Sequence, residues 1–236
     1  MADKIKEELQ WSGIRVKLNQ AYKYDAVWEE AIQVFDNRLK ERFFYPIQII
    51  IDQGELKGEG FAMLTVQCAL METFAAFRLG KIFNHNRKAP ASVHEYYASK
   101  NMFTSFLQDA EIFRNHFWTE VNGQKIILNP PFATDSFYSD VRCGLMHEAR
   151  TKGNWLIRAA PKSMSVKNET QFIVAQSDMN IIYRTTLHYR LLHYFEIYKD
   201  DLRQNDQAGQ LLRRNFARKL DHLFDFPANT AYEWWT

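Results

Sequence analysis

The sequence predicts a mainly α protein, a helical bundle with a small β-rich insertion. Apolar residues recur every three to four positions over most of the 236 residues, the spacing that places them on one stripe of a helix. Two regions, about 118–134 and 154–176, instead show the turn signals and apolar alternation of strands. No internal repeat or Gly/Ser linker interrupts the chain, so we expect a single domain over residues 1–236.

Two apolar stripes predict the first helices. Pro46 ends or bends the first of them, and a glycine-rich loop at 52–60 follows. Further apolar residues on the other faces of a second helix, 61–83, predict that it is buried. A third helix is predicted from about Val93 to Phe117. The stripes consist of Tyr24, Trp28, Ala31, Phe35, Leu39 and Phe43, then Leu64, Cys68, Met71, Ala75, Leu79 and Phe83.

The middle of the chain is predicted to hold the β-rich insertion and one helix. Asn122-Gly123 between β-favouring runs indicates a hairpin. A helix capped by Asp135 or Ser136 then carries the sequence RCGLMH and ends at Gly153. Three short alternating segments after it predict a small sheet. They are WLIRAA, SMSVKN and TQFIVAQ.

From Asp178 the helical period returns and predicts two more helices. Arg214 and Arg218 on the last helix are interpreted as solvent-exposed cations, with RNA contact as the alternative. The chain ends in the aromatic sequence AYEWWT, which either packs back on the protein or contacts a partner. The two stripes consist of Tyr183, Leu187, Leu191, Tyr194, Tyr198 and Leu202, then Leu212, Phe216, Leu220 and Leu223.

The composition excludes several classes of protein. Hydrophobic residues make up 46% and charged residues 25%, so the chain can bury a core. A net charge of +2 does not by itself indicate a nucleic-acid binder, so any basic surface must be local. Cys68 and Cys143 lie outside CxxC spacing, which argues against a disulfide scaffold or a structural zinc site. Without a visible signal peptide or membrane span, we predict a soluble, cytoplasmic protein with no membrane contact.

The sequence RCGLMH places Arg142 five residues before His147. An arginine can present its planar guanidinium to a phosphate through two hydrogen bonds, and a histidine can exchange a proton near neutral pH. Together they are the minimum set for cutting RNA without a metal ion. The competing interpretation is a solvated arginine and a histidine at the edge of the core, which composition and spacing alone favour.

Helix geometry complicates a site within one chain. Five residues of a regular helix rotate about 500°, so Arg142 and His147 would lie about 140° apart. Gly144 could loosen the start of the helix and let Arg142 swing round. Alternatively, a two-fold dimer could bring two motif helices together. We prefer the dimer, because it supplies one histidine as the base and another as the acid.

The stretch YSDVRCGLMHEARTKGNWLI resembles the HEPN superfamily (higher eukaryotes and prokaryotes nucleotide-binding), helical-bundle proteins marked by an R-x4–6-H motif. Arg142 and His147 match its shortest spacing, and the helical pattern extends the resemblance loosely over 20–225. The stretch is most similar to prokaryotic members of phage-defence, abortive-infection and toxin–antitoxin systems. Two features depart from the family: Cys143 stands where active members often have Asn, Asp or His, and the 154–176 region is additional to a minimal HEPN bundle.

The resemblance implies an HEPN-like bundle and a homodimer with a composite, metal-independent endoribonuclease site that needs no cofactor. Arg142 would stabilise the phosphate and His147 would be the general acid/base. We add Arg150 and Lys152 as RNA-binding residues, because Arg150 lies three residues after His147 and so on its helix face. The alternative is a solvated cationic helix end favoured by the helix dipole.

Two residues are predicted to support this site. Cys143 directly follows the motif arginine. Glu72 is polar within a strongly apolar helix, and it either orients a motif residue across the bundle or forms a structural ion pair.

Three functions stay open. The first is a cytoplasmic, dimeric endoribonuclease, a hydrolase acting on RNA in phage defence or as a toxin with an antitoxin partner. The second is a non-catalytic HEPN module that binds nucleic acid or nucleotide, or scaffolds a partner protein. The third is a structural helical protein in which Arg142 and His147 make only intramolecular contacts.

Overall fold

A computed structural model describes residues 2–18, 23–54, 58–86, 92–161 and 163–236. The α-helices are α1 Ala2–Lys17, α2 Ala26–Leu39, α3 Tyr45–Gln53, α4 Glu59–Leu79, α5 Ser99–Asp109, α6 Thr134–Ser136, α7 Gly144–Glu148, α8 Arg184–Arg203 and α9 Gln207–Leu223. Two π-helices span Lys40–Phe44 and Phe137–Cys143, and two 3-10 helices span Glu111–Phe113 and Glu233–Trp235. The strands are β1 Ile82–Phe83, β2 Glu95–Tyr96, β3 Trp118–Val121, β4 Gln124–Ile127, β5 Trp155–Arg158, β6 Ile173–Gln176 and β7 Met179–Tyr183. The prediction of a mainly α protein is confirmed.

The chain divides into two compact units, each made of separate stretches of sequence. Unit 1 contains residues 1–42, 76–97 and 196–236. Unit 2 contains residues 43–75 and 98–195. α4 and α8 each contribute residues to both units, so the boundaries between the units fall inside these helices. That residues 1–236 form a single HEPN-like domain stays a prediction.

The core of unit 1 is built around an aromatic cluster. The Phe35 ring on α2 lies 4.1 Å from that of Phe77 and 5.4 Å from that of Phe216, between ring centroids. Asp25 caps α2 by accepting hydrogen bonds from the backbone N–H groups of Val27 and Trp28, which satisfies donors that a helix start leaves free. The predicted stripe of α2 is therefore the core-facing side of this helix.

A second cluster in unit 1 collects donors around one buried carboxylate. Asp221 is fully buried and accepts hydrogen bonds from the indoles of Trp11, Trp234 and Trp235. Arg15 donates to both carboxylate oxygens at 2.6 and 3.1 Å. Since Trp234 and Trp235 belong to the sequence AYEWWT, this segment packs back on unit 1, the first of the two alternatives.

The interpretation of Arg218 as a solvent-exposed cation is wrong. Its side chain is buried and donates to the backbone carbonyls of Trp234 and Gly80. The C-terminal aromatic segment contacts the Arg218 side chain through the Trp234 carbonyl, which the periodicity of α9 alone does not reveal. Arg214 is half-buried and pairs with Glu233 at 3.5 Å.

In unit 2, aromatic rings pack between α4, α5 and α8. The Phe74 ring lies 5.0 Å from that of Tyr194, 5.7 Å from that of Phe195 and 6.2 Å from that of Phe106. The fully buried Gln67 donates to the Arg184 carbonyl at 2.8 Å. The prediction that the second apolar helix is buried is confirmed for much of α4.

Helix boundaries differ from the predicted ones in several places. The helix predicted from Val93 to Phe117 is only Ser99–Asp109, because β2 precedes it and Ala110 takes an extended conformation. The α-helix before Pro46 ends at Leu39, and a π-helix leads into α3, which holds Pro46 in its first turn. Phe44 itself has helical φ and ψ, so the helical backbone continues through Pro46 and does not end there. Part of the loop predicted at 52–60 lies outside the described residues.

The predicted hairpin is confirmed. β3 and β4 pair antiparallel, and the residues between them, Asn122 and Gly123, have φ of +51° and +74°. Positive φ at both central residues is the geometry that matches the twist of a two-residue hairpin.

The sheet that follows was predicted only in part. β5 and β6 fall in WLIRAA and TQFIVAQ, but SMSVKN forms turns rather than a strand. The third strand is β7, Met179–Tyr183, parallel to β5 and antiparallel to β6, where the helical period was expected to begin. Ile181 and Ile182 in β7 are both buried. A strand buried on both faces shows no alternation, so its apolar run resembles a helix start.

Within the described part of the chain, α4 is also long and apolar enough to cross a membrane by length and composition. More than half of its most apolar stretch is buried. The core helix of a soluble protein passes the same test.

Candidate active site

The motif lies in unit 2, on a helix that changes type along its length. α6 starts after Ala133, which provides no side-chain cap, and passes into the π-helix Phe137–Cys143 and then α7. Arg142 therefore lies in the π segment and His147 in the α segment. The prediction of a regular α-helix capped by Asp135 or Ser136 is wrong, since Ser136 lies within the helix and donates to Asp140 instead.

The helix ends at Glu148 and not at Gly153. Ala149 takes the left-handed conformation, with φ of +51°, although it carries a Cβ. The backbone N–H groups of Ala149 and Arg150 both donate to the Gly144 carbonyl. These two hydrogen bonds stabilise the turn in which the chain leaves the helix, although the local sequence predicts that the helix continues.

Gly144 is required by this reversal. A Cβ at position 144 would lie 2.5 Å from the Arg150 carbonyl oxygen. Its own backbone is regularly helical, with φ of −57° and ψ of −46°. The structure thus gives Gly144 a packing role, and the hypothesis that it loosens the helix so that Arg142 can swing round stays a prediction.

We expect Gly144→Ala to lower the free energy of unfolding by about 1–3 kcal/mol, because the added methyl overlaps the Arg150 carbonyl. The control is Gly13→Ala in α1, where a Cβ meets nothing within 4 Å. That change should stabilise the protein by about 0.5–1 kcal/mol through helix propensity. Urea unfolding followed by circular dichroism measures both. A gain in stability for Gly144→Ala would contradict the close approach.

Arg142 is held by two partners. Its Nη2 donates to Glu72 Oε2 on α4 at 3.0 Å, and both side chains are 18% exposed. Its guanidinium carbon lies 5.6 Å from the centroid of the Tyr138 ring. Burial acts to lower the pKa of Arg142, but attraction to Glu72 and the hydrogen bond outweigh it and raise the pKa. Arg142 thus stays cationic. Glu72 both forms an ion pair and orients a motif residue, the two roles predicted as alternatives.

Tyr138 is a site residue that sequence reasoning missed. Its ring contacts Arg142, and its hydroxyl shares a hydrogen bond of 2.9 Å with Ser99 on α5. The four-residue spacing from Tyr138 to Arg142 was the available signal, since such pairs are neighbours on a helix surface.

A hydrogen-bonded network lies one turn before the motif. The Asp140 carboxylate accepts from Ser136 at 2.8 Å and from Ser139 at 3.0 Å. The Trp155 indole donates to Ser136 at 3.0 Å, and the Lys152 N–H donates to the Asp140 carbonyl at 2.8 Å. These bonds attach the segment after the helix to the helix itself.

His147 is exposed near the end of α7. Arg150 is not on the same helix face as His147, because the helix ends between them. Arg150 and Lys152 both pair with Glu148, Arg150 at 3.6 Å. That carboxylate, which the sequence reasoning overlooked, lowers the local positive charge. The assignment of both cations to RNA binding stays a prediction.

The two cysteines are free thiols. Burial raises the pKa of Cys68 to about 12, so this thiol is protonated at neutral pH. Cys143 is half-buried at the end of the π-helix. Among the described residues, no group of three or more His, Cys, Asp or Glu side chains is placed to hold a metal ion.

The sequence and structure were compared with known proteins, and no relative was found. No protein-family profile matches the sequence, and no curated protein or solved structure matches it. The HEPN resemblance therefore rests on residues 138–157 and on the helical pattern.

Proposed function

We propose that the protein is a metal-independent endoribonuclease of HEPN type, acting as a homodimer in phage defence or as a toxin. The observation that carries the proposal is the arrangement on one helix of a fixed cation and an accessible proton carrier. Arg142 is held by Glu72 and Tyr138, while His147 lies exposed to solvent five residues later. A phosphate-binding cation and a titratable group are what RNA transesterification requires.

The reaction follows from these two groups. A neutral histidine accepts the proton of a ribose 2′-OH, and the 2′-oxygen attacks the adjacent phosphorus. The bond from phosphorus to the 5′-oxygen breaks, and a protonated histidine gives its proton to that oxygen. Arg142 stabilises the negative charge that builds up on the phosphate. The products end in a 2′,3′-cyclic phosphate and a 5′-hydroxyl.

The dimer supplies the second proton carrier. The reaction needs a base and an acid, and the motif contributes one histidine per chain. A two-fold axis beside α7 would bring two copies of His147 and Arg142 together. Residues around His147 are open enough for this, since Met146 is 49% exposed and His147, Glu148 and Ala149 are also exposed.

We expect purified protein to cut single-stranded RNA in the presence of EDTA and His147→Ala to be slower by a factor of about 10²–10⁴. Mass spectrometry should find 2′,3′-cyclic phosphate ends. His193→Ala is the matched control, an exposed histidine of the same unit on α8, and should cut at the wild-type rate. The proposal fails if the wild-type dimer binds RNA without cutting it, or if His147→Ala cuts as fast as the wild type.

One observation favours the second candidate, a non-catalytic HEPN module. The Glu72 carboxylate already pairs with Arg142 at 3.0 Å and partly neutralises the charge that a transition state would use. In this alternative Arg142→Ala weakens nucleic-acid or nucleotide binding, whereas His147→Gln has no effect. Toxicity of the expressed wild-type protein, absent for His147→Ala, would instead support the toxin or defence role.

A further inference from the structure

Unit 1 carries a cluster of basic side chains outside the candidate active site. Arg214, Arg218 and His222 lie four residues apart on one face of α9, and the segment between α4 and β2 adds further basic groups. This cluster, here called the α9 basic face, comprises Lys81, His94, Arg214, Arg218, Lys219 and His222.

Arg218 is the buried centre of the α9 basic face. It is 5% exposed, and its Nη1 donates to Asn215 Oδ1 at 3.1 Å and to the Gly80 carbonyl at 3.5 Å. Within the described part of the chain it donates to uncharged oxygens, and no carboxylate there forms an ion pair with it. Gly80, with φ of +60°, makes room for it, since a Cβ there would lie 2.4 Å from Nη1.

A buried cation without a counter-ion is costly. Burial, and then the charge of Arg214, lower the pKa of Arg218 to about 10, so it is still cationic at neutral pH. Its positive charge therefore adds to that of the neighbouring Arg214.

The cations of this face also lower the pKa of two neighbouring histidines, after burial as the largest cause. Burial lowers the pKa of His94, and the charges of Arg218 and Lys81 lower it further. The pKa of His222 is likewise lowered by burial and then by Lys219, although the charges of Asp225 and Glu95 act to raise it. Three acids lie nearby: Glu233 pairs with Arg214, Glu95 accepts from Asn84 and the Ser92 backbone, and the charge of Asp225 acts on His222.

Aromatic rings lie among these cations. The half-buried Trp235 ring lies 6.2 Å from that of His94 in an edge-on arrangement. Tyr96 is half-buried in β2, and its ring lies 5.3 Å from that of Phe83 in β1. Cations that follow a backbone, together with rings on which bases stack, are the features by which proteins bind single-stranded nucleic acid.

We propose that the α9 basic face binds the sugar-phosphate backbone of single-stranded RNA. The outer cations Lys81, Arg214 and Lys219 would contact phosphates, while Arg218 supplies charge from beneath. Trp235 would offer a ring for a base. This inference rests on the proposed function, in which RNA is the substrate, and adds an RNA-binding surface in unit 1 to the candidate active site, which belongs to unit 2.

The test measures binding of a short, fluorescein-labelled single-stranded RNA by anisotropy between about 50 and 200 mM salt, in the His147→Ala background so that the RNA stays intact. The double variant Lys81→Gln/Lys219→Gln removes two outer cations. With about 0.7 counter-ions released per phosphate contact, the slope of log K against log salt should become less negative by about 1.4. Affinity at low salt should fall on the order of tenfold.

The matched control is Lys17→Gln/Lys23→Gln, which removes the same charge from exposed positions of unit 1. It should leave both slope and affinity unchanged. Equal slopes for the two double variants would overturn the inference while leaving wild-type cleavage intact. Loss of binding only in Lys81→Gln/Lys219→Gln, with no cleavage by the wild type, would support the inference and reject the nuclease. Displacement of RNA by polyglutamate as readily as by polyuridylate would assign the face to an acidic protein and reject RNA.

Discussion

Asp221→Ala is expected to lower the free energy of unfolding by about 3–5 kcal/mol, the cost of removing one partner of a buried ion pair. The change leaves the Arg15 guanidinium without its carboxylate in a site where the Arg15 side chain is 10% exposed. It also removes the acceptor of three indole N–H groups, from Trp11, Trp234 and Trp235. Unpaired buried donors add to the penalty.

The measurement is guanidinium unfolding followed by tryptophan fluorescence, which reports directly on the indoles around position 221. Asp200→Ala is the matched control, because Asp200 also pairs with an arginine of unit 1, Arg203, but is 69% exposed. Surface ion pairs contribute about 0–1 kcal/mol, so this variant should unfold close to the wild type. A similar midpoint for Asp221→Ala would show that the carboxylate does not hold α1 and the C-terminal segment to α9.

Acidification is expected to destabilise unit 2 through two buried histidines. Burial lowers the pKa of His116 to about 4 and that of His188 to about 4. His116 Nε2 accepts the Phe172 N–H at 3.3 Å, an arrangement that needs the neutral ring. His188 packs against the Phe44 ring at 5.9 Å. Nearby Asp52 acts to raise the pKa of His188 but does not overcome burial.

The direction follows from proton binding. Between about pH 6.5 and 4 the unfolded chain holds a proton on each histidine and the folded chain does not, so stability falls as the pH falls. The stability that the two neutral histidines contribute is fully present above about pH 6.5. Each shift of about 2.5 pH units corresponds to about 3 kcal/mol. The slope is about 1.4 kcal/mol per pH unit for each histidine.

The check is the free energy of unfolding of the wild type and His188→Gln at several pH values between about 4 and 7. His188→Gln should reduce the slope by about 1.4 kcal/mol per pH unit. Leu187→Ala, at the fully buried neighbouring position, controls for loss of packing, since it should destabilise by about 2–5 kcal/mol at every pH. Leu187→Ala should keep the wild-type slope. If His188→Gln keeps it as well, His188 is not the titrating group.

Local patterns were sufficient for much of the fold. The period of α2, α4, α8 and α9 depends on residues three and four apart, which a reader of the sequence can see. The Asn122-Gly123 hairpin is equally local, because the positive φ values belong to those two residues. β7 was missed for the converse reason: its residues are buried on both faces, so their apolar run carries no strand period.

The candidate site was predictable only in its residue types. Arg142 and His147 are recognisable by their spacing, and Tyr138 could have been found by the same rule. The residues that surround Arg142 and His147 could not be predicted. Glu72 lies seventy positions from Arg142, and nothing local selects it over the other carboxylates of the chain.

What the sequence by itself determined is the mainly α character, the hairpin and the presence of an R-x4-H motif, because each depends on residues within one or two turns of each other. Only the tertiary structure decided that Arg142 pairs with Glu72, that Arg218 is buried, and that Asp221 collects donors from both ends of the chain. It also decided that the motif helix ends at Glu148, before the left-handed Ala149. Such contacts depend on which faces pack together, and a long-range pair leaves no periodic trace in the sequence.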